Sequence, residues 1–374
     1  MKAGWRVARV GEICTFNYGK ALPESARKGG GTPVFGSNGV VGFHDSSITS
    51  GKTIVIGRKG SFGEVHYSEV PSWPIDTAYF VDEASTEQDM RWLFYRLGCL
   101  GLNQMNKAAA VPGLNRDDAY RQEILLPPLS EQRRIAAILD KADAQRTKRR
   151  EALAQLDRLA QSIFVEMFGD PGVNPKAWPL VTLGQLIREK PNNGIFRKNE
   201  DYGEGLPVAW VEELFRGSSV YLDKSRRLNA SGEEIRKYGL KCGDILFCRS
   251  SLKLAGLGYN NVYLGPDNAA LFECHVIRIS PRHDLVDSEF LNFLLRIPSQ
   301  RLRLFRFAKT VTMSTIDQEG IKNVEVPVPP LTLQKAFVGR LHAIQRCGAQ
   351  MFDSTGPLDI LFASLQQRAF SGEL

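Results

Sequence analysis

The sequence is poor in the side chains that carry chemistry by themselves. Its 374 residues include only five histidines, and none stands at metal-ligand spacing from another. Six cysteines, at positions 14, 99, 242, 248, 274 and 347, never form a Cys-x-x-Cys pair. That excludes a zinc ribbon and a dithiol redox motif. Cys274 beside His275 is either a fragment of a metal site or, the preferred reading, part of a buried, inert strand. No apolar run reaches about 18 residues, so no membrane-spanning helix is expected. The first fifteen residues lack the apolar core of a secretory signal. The expected compartment is the cytoplasm, with no membrane partner.

Familiar catalytic signatures are missing too. No glycine-rich dinucleotide motif follows a strand, and no Asn-Pro-Pro-aromatic methyltransferase motif occurs. "SGKT" at 50–53 has the ending of a phosphate-binding loop, but the first glycine of that loop would fall on Ser46. No catalytic residue, metal ligand or bound cofactor is therefore assigned to this chain.

What is present is a soluble, globular composition with a basic balance. Hydrophobic residues make up 43% and charged residues 24%. The net charge is +7 and the isoelectric point about 9.0. The charge is unevenly placed. Between Phe290 and Ile316 there is no acidic residue, yet the stretch holds Arg296, Arg301, Arg303, Arg306 and Lys309. A solvated helix face is one reading. A polyanion partner is slightly favoured, because these charges have no local counterpart.

The length predicts more than one domain, and an internal repeat shows how the chain divides. Residues 123–170 align without a gap on 325–372, with 11 of 48 positions identical. Pro127, Pro128, Leu129 and Gln132 recur as Pro329, Pro330, Leu331 and Gln334. "WRVARVGEI" at 5–13 likewise resembles "WPLVTLGQL" at 178–186. Each Pro-Pro ends an extended segment, and Ser130 or Thr332 is expected to cap the helix that follows. Glycine and proline are absent from Ser130 to Phe168, which predicts a helix roughly 60 Å long. Its apolar residues, among them Ile135, Leu139, Leu156, Leu159 and Ile163, recur every three or four positions. The second copy offers a matching stripe: Phe337, Leu341, Leu358, Leu361, Leu365 and Phe370. A two-helix coiled coil covers both stripes economically. Sequence does not set its direction, but two similar halves favour antiparallel. Gly356-Pro357 predicts a kink or break in the second helix.

The expected fold is α+β: two mixed blocks, 1–128 and 171–330, with long helices at 129–170 and 331–374, related by a pseudo-twofold repeat. In block one "TPVFGSNGVVGFHD", "KTIVIGRKGSFGEVHYS" and "DTAYFV" read as strands, and "EQDMRWLFYRLGCLGLNQM" as a helix. In block two "NAALFECHVIRIS" reads as a strand and "SEFLNFLLRIPSQRLRLFRFA" as a helix. The loop "GRKGSFG", with Gly57, Gly60 and Gly63, is a weak candidate phosphate cradle.

"PPLSEQRRIAAILDKAD", "LAQSIFVEMFGDP", "PVFGSNGVVGFHD" and "IVIGRKGSFGEVHYS" together resemble the specificity subunit of type I restriction–modification enzymes. The resemblance covers about residues 5–372. It departs at Leu333, where the first copy has Glu131, and at Gly356-Pro357. It implies two target recognition domains, each reading one half of a split double-stranded DNA site, and helices that set the gap. It implies two modification subunits bringing S-adenosylmethionine and two restriction subunits using ATP and Mg²⁺, with no catalysis in this chain. The DNA contacts expected in block one are Arg58, Lys59, Ser61, Lys107, Asn115 and Arg116. In block two they are Arg249, Ser250, Lys253, Arg301, Arg306 and Lys309. The rival readings are a stand-alone fused endonuclease or methyltransferase, and a non-catalytic coiled-coil adaptor or lone regulator.

Overall fold

A computed structural model describes residues 4–105, 113–310, 313–352 and 355–374. The chain forms two compact units. One comprises Met1–Glu151 with Phe352–Leu374, the other Ala152–Met351.

Unit 1 begins with β1 (Arg6–Arg9) and the short helix α1 (Val10–Ile13). Seven strands follow: β2 (Asn17–Tyr18), β3 (Thr32–Gly36), β4 (Gly39–His44), β5 (Thr53–Gly57), β6 (Val65–Ser68), β7 (Trp73–Pro74) and β8 (Ala78–Asp82). Then come α2 (Met90–Gly98), α3 (Arg116–Tyr120), β9 (Glu123–Leu126) and the 40-residue helix α4 (Leu129–Phe168). An antiparallel sheet runs in the order β2-β8-β5-β6. The continuous apolar runs TIVIG and AYFVD are its buried central strands, as expected of segments covered on both faces. A second sheet, β4-β3-β7, joins a bulged hairpin to a parallel strand. β1 pairs antiparallel with β9, which leads into Pro127-Pro128 and α4.

Unit 2 repeats this plan with different residues. Its elements are β10 (Leu180–Thr182), β11 (Asn192–Asn193), β12 (Tyr202–Ala209), α5 (Val211–Leu214), β13 (Arg227–Leu228), α6 (Gly232–Tyr238), β14 (Ile245–Cys248) and β15 (Ser250–Ser251). β16 (Asn260–Val262), β17 (Leu271–Phe272), β18 (Val276–Ile279), α7 (Ser288–Arg296), α8 (Pro298–Phe305), β19 (Lys309–Thr310), β20 (Ser314–Thr315), α9 (Gln318–Lys322), β21 (Glu325–Pro327) and α10 (Leu331–Phe352) complete it. The order β11-β18-β14-β16 matches β2-β8-β5-β6, with every pairing antiparallel. The order β13-β12-β17 matches β4-β3-β7, including the one parallel pairing. The pair β10-β21 matches β1-β9. A small sheet, β15-β20-β19, is added.

The long helices contribute to both cores. In unit 1, Ile135 and Leu139 of α4 share one core with Phe362, Ala369 and Phe370 of the terminal helix (Thr355–Ser371). Arg134 donates to the Leu374 carbonyl (2.9 Å) and Arg146 to Asp359 (2.6 Å), so these two helices run in opposite directions. In unit 2, Phe164 and Phe168 pack edge-on against Phe337 of α10 (5.4 and 5.7 Å). Leu341 is buried in the same core, while Ile163 is partly buried against it. Leu156, Leu358 and Leu365 are half-buried.

Five expectations need correction. Leu159 and Leu361 face solvent; the buried stripe here runs through Ala160, Phe164 and Phe168. Ser130 and Thr332 lie one residue inside their helices, and the Pro128 and Pro330 carbonyls accept the first N–H groups instead. The helix predicted across 87–105 ends at Gly98, and a single turn, Leu102–Gln104, follows Gly101 in left-handed backbone. The single helix expected after Ser288 is two, because Pro298 cannot donate to the preceding turn and opens α8 at its first position. The strand expected in NAALFECHVIRIS is two strands separated by a corner at Glu273–His275. The second long repeat comes as α10 and the terminal helix, with Pro357 in the latter's first turn, where a missing N–H is tolerated. No described helix is long and apolar enough to cross a membrane.

Candidate nucleic-acid interface

In unit 1 the "GRKGSFG" loop connects β5 to β6 and is stitched to the segment before α3. The Leu114 N–H donates to the Arg58 carbonyl at 2.9 Å, and Lys59 bridges to Gly113. This brings Arg58 and Arg116 to the same tyrosine. Their guanidinium carbons lie 5.2 and 5.3 Å from the Tyr18 ring centre. Tyr18 is 54% exposed and meets Tyr79 edge-on at 5.1 Å. Lys59 and Ser61 stand exposed on the loop beside this group. Two cations gripping an exposed aromatic give a surface able to meet both phosphates and stacked rings. Tyr18 was not singled out from sequence. Its only signal was an aromatic at the end of a two-residue strand, brought to Arg58 by β8.

Most of the loop's backbone N–H groups are already paired. The N–H groups of Gly57, Arg58, Lys59, Phe62 and Gly63 all donate to carbonyls within the unit. Its glycines serve close packing. A Cβ on Gly63 would sit 2.1 Å from the Asn103 nitrogen. Asn115 is exposed, but its side-chain oxygen accepts from the Asp117 N–H (2.8 Å) and caps α3. Lys107 lies outside the described residues.

In unit 2 the small sheet gathers Arg249, Ser250 and Lys309. Ser250 pairs with Thr315, and Thr315 with Lys309. Arg249 and Lys253 are exposed and Ser250 half-buried. Lys309 is exposed and pairs with Asp317 at 2.7 Å. That ammonium is the largest cause holding the Asp317 carboxyl below the usual range.

The acid-free basic stretch splits into two groups. Arg296 donates to the Tyr259 hydroxyl (2.7 Å), Arg303 to the Pro171 and Gly172 carbonyls (3.0 and 3.2 Å). Arg301 donates to the Ala255 and Leu257 carbonyls (2.7 and 3.0 Å) and packs over Phe305. Burial lowers the pKa of Arg296 and Arg301. Arg301 therefore braces the 254–257 turn. Carbonyls and a phenol supply the missing counter-groups, which sequence could not show. Arg306 is exposed.

The Glu273–His275 corner gathers three ligand-type side chains within 4.8 Å of one another. Cys274 is half-buried, and the buried Glu273 carboxylate already accepts from the His275 N–H (2.9 Å) and lies 2.8 Å from its ring nitrogen.

Residues 2–157 match the family model for the type I restriction modification DNA specificity domain. The type I restriction enzyme MjaX specificity subunit of Methanocaldococcus jannaschii is 27% identical over 167 residues, 44% of this chain and 38% of that protein. The EcoBI specificity subunit of Escherichia coli is 22% identical over 353 residues, 86% of this chain and 73% of that protein. The chain thus spans well under half of the archaeal relative's length. The type I restriction–modification S subunit from M. genitalium superposes with a TM-score of 0.60 over 98% of this chain and 96% of its own. At 14% identity that likeness is one of fold.

Proposed function

We infer that this chain, which belongs to the type I restriction–modification DNA specificity family through residues 2–157, selects the DNA sequence on which partner subunits act and performs no catalysis itself. One observation carries the reading beyond the matched residues: unit 2 repeats the strand orders of unit 1 while presenting different side chains at its candidate face. Tyr18, Arg58 and Arg116 occupy one face, Arg249, Ser250 and Lys309 the other. Unlike faces on like scaffolds suit a split, non-palindromic site, in contrast to the symmetric sites of true dimers. Lysines and arginines would fix the phosphates, and the hydroxyl and aromatic groups would meet base edges.

In this reading α4, α10 and the terminal helix form an antiparallel coiled coil that sets the number of unread base pairs, at about 3.4 Å each. The opposed directions of α4 and the terminal helix in unit 1 support it. Two modification subunits holding S-adenosylmethionine dock on the chain, and two restriction subunits using ATP and Mg²⁺ complete the complex in the cytoplasm. That the relatives are named as specificity subunits favours this over a stand-alone enzyme or an adaptor.

The test is methylome sequencing of a host carrying the modification partner, with and without this chain. A two-part adenine-methylation motif that disappears on deletion is expected. Methylation of an unchanged motif after deletion rejects the assignment.

A further inference from the structure

The joint between recognition unit and long helix is built twice, and in one of its contacts the carboxylate stands on the opposite helix. Both copies place an aspartate at the N-cap of the first helix after the four-stranded sheet, Asp89 before α2 and Asp287 before α7. Both dock that helix on the glutamine of the repeated Pro-Pro-Leu-x-x-Gln phrase. Two residues after the aspartate, unit 1 has Arg91 and unit 2 has Glu289; eight residues after the glutamine, unit 1 has Asp140 and unit 2 has His342. These are the partners. Arg91 Nε donates to Asp140 at 2.8 Å, and the Tyr95 hydroxyl donates to the same oxygen at 2.8 Å. In unit 2, His342 Nε2 lies 2.7 Å from a Glu289 carboxylate oxygen.

Arg91 stands in the first turn of α2, where the helix dipole disfavours a cation. Helix stability therefore does not explain it; Asp140 and the Tyr67 ring, whose centre lies 4.6 Å from the guanidinium carbon, do. Glu289 stands in the same turn of α7, where the dipole favours an anion. The mismatched combinations are poor. Arg91 against His342 sets a fixed cation on an imidazole with no carboxylate between them. Glu289 against Asp140 sets two carboxylates together.

We propose that this reversed pair is a polarity key: it makes each recognition unit dock on its own long helix and rejects the other helix, above all that of a second copy of this chain. The glutamine clamp is common to both joints and cannot discriminate. Without the key, chains carrying two near-equivalent joints are open to exchange of recognition units between copies. The inference rests on the two joints alone and stands whether or not the chain binds DNA.

The test uses the full chain, refolded from denaturant over a concentration series and sized by chromatography with light scattering. R91E/D140H gives unit 1 the key of unit 2 while keeping an opposed pair. It is expected to recover most of the thermal midpoint lost in R91E, yet to refold with a several-fold larger dimer fraction than wild type. E289R/H342D is the reciprocal variant and carries the same expectation if the first fails to fold. R91K/D140E keeps the polarity and is expected to match wild type. Matched-key variants that refold with the wild-type dimer fraction would overturn the proposal. So would R91K/D140E dimerising as much as R91E/D140H, because the cause would then be weakened packing and not polarity.

Discussion

Gln132 holds Asp89 from a distance of 43 residues along the chain: the Asp89 N–H donates to its side-chain oxygen at 2.9 Å. Its amide nitrogen donates to the Pro127 carbonyl at 3.0 Å. Gln334 does the same for Asp287 (2.8 Å) and Pro329 (2.8 Å). Both amides are buried. One side chain thus fixes the proline corner, the long helix and the cap of the helix packed on it. Gln132→Ala leaves a buried donor and a buried acceptor unpaired. It should lower the stability of unit 1 by about 2–4 kcal/mol, read from urea unfolding. Gln334→Ala should do the same to unit 2. A loss under half a kcal/mol in either would mean water replaces the amide.

Arginines in and out of the fold should separate in a salt titration of DNA binding. Arg58→Ala and Arg306→Ala are each expected to weaken binding and reduce the slope of log K against log salt by about 1. Arg301→Ala is expected to leave the slope alone and lower the thermal midpoint, since it braces two carbonyls. The opposite pattern would exchange their roles.

Asp244 predicts a pH dependence of unit 2. It is fully buried, and burial raises its pKa although the Ser280 hydroxyl (2.6 Å) and the Lys241 N–H (2.8 Å) donate to it. The folded state therefore holds this proton more tightly than the unfolded chain does. The contribution is complete below the ordinary carboxylate pKa and is lost as pH rises through the raised folded value. Relative to Asp244→Asn, the wild type should gain stability as pH falls from neutrality towards that range. A difference in urea midpoints that stays flat with pH contradicts this.

Thiol labelling should sort the cysteines by burial. Cys14 is buried and its thiol is pushed up to about 12 by desolvation, so it should resist iodoacetamide in the native chain. Cys242 and Cys347 are exposed and should be the first modified. Native labelling of Cys14 ahead of these would show that unit 1 opens locally.

The Pro-Pro corners and the helices that follow them were legible because they rest on local rules. Proline ends a strand wherever it stands, and a stretch free of glycine and proline with apolar residues every three or four positions becomes helix in most settings. The same locality located the repeated Pro-Pro-Leu-x-x-Gln phrase, but not its purpose, because Asp89 and Asp287, whose N–H groups dock on Gln132 and Gln334, lie more than forty residues upstream. The candidate face was half legible. Basic residues in loops mark a polyanion surface, yet Arg58 and Arg301 look alike in sequence.

By itself the sequence determined a mixture of helix and strand in which each Pro-Pro corner leads into a helix. Only the tertiary structure decided which arginines meet solvent and which meet carbonyls, which helix face is buried, and that Tyr18 belongs with Arg58 and Arg116. The reason is physical. Backbone preference and periodicity act over a few residues, whereas a side chain's counter-group is supplied by whatever strand or turn the fold brings beside it.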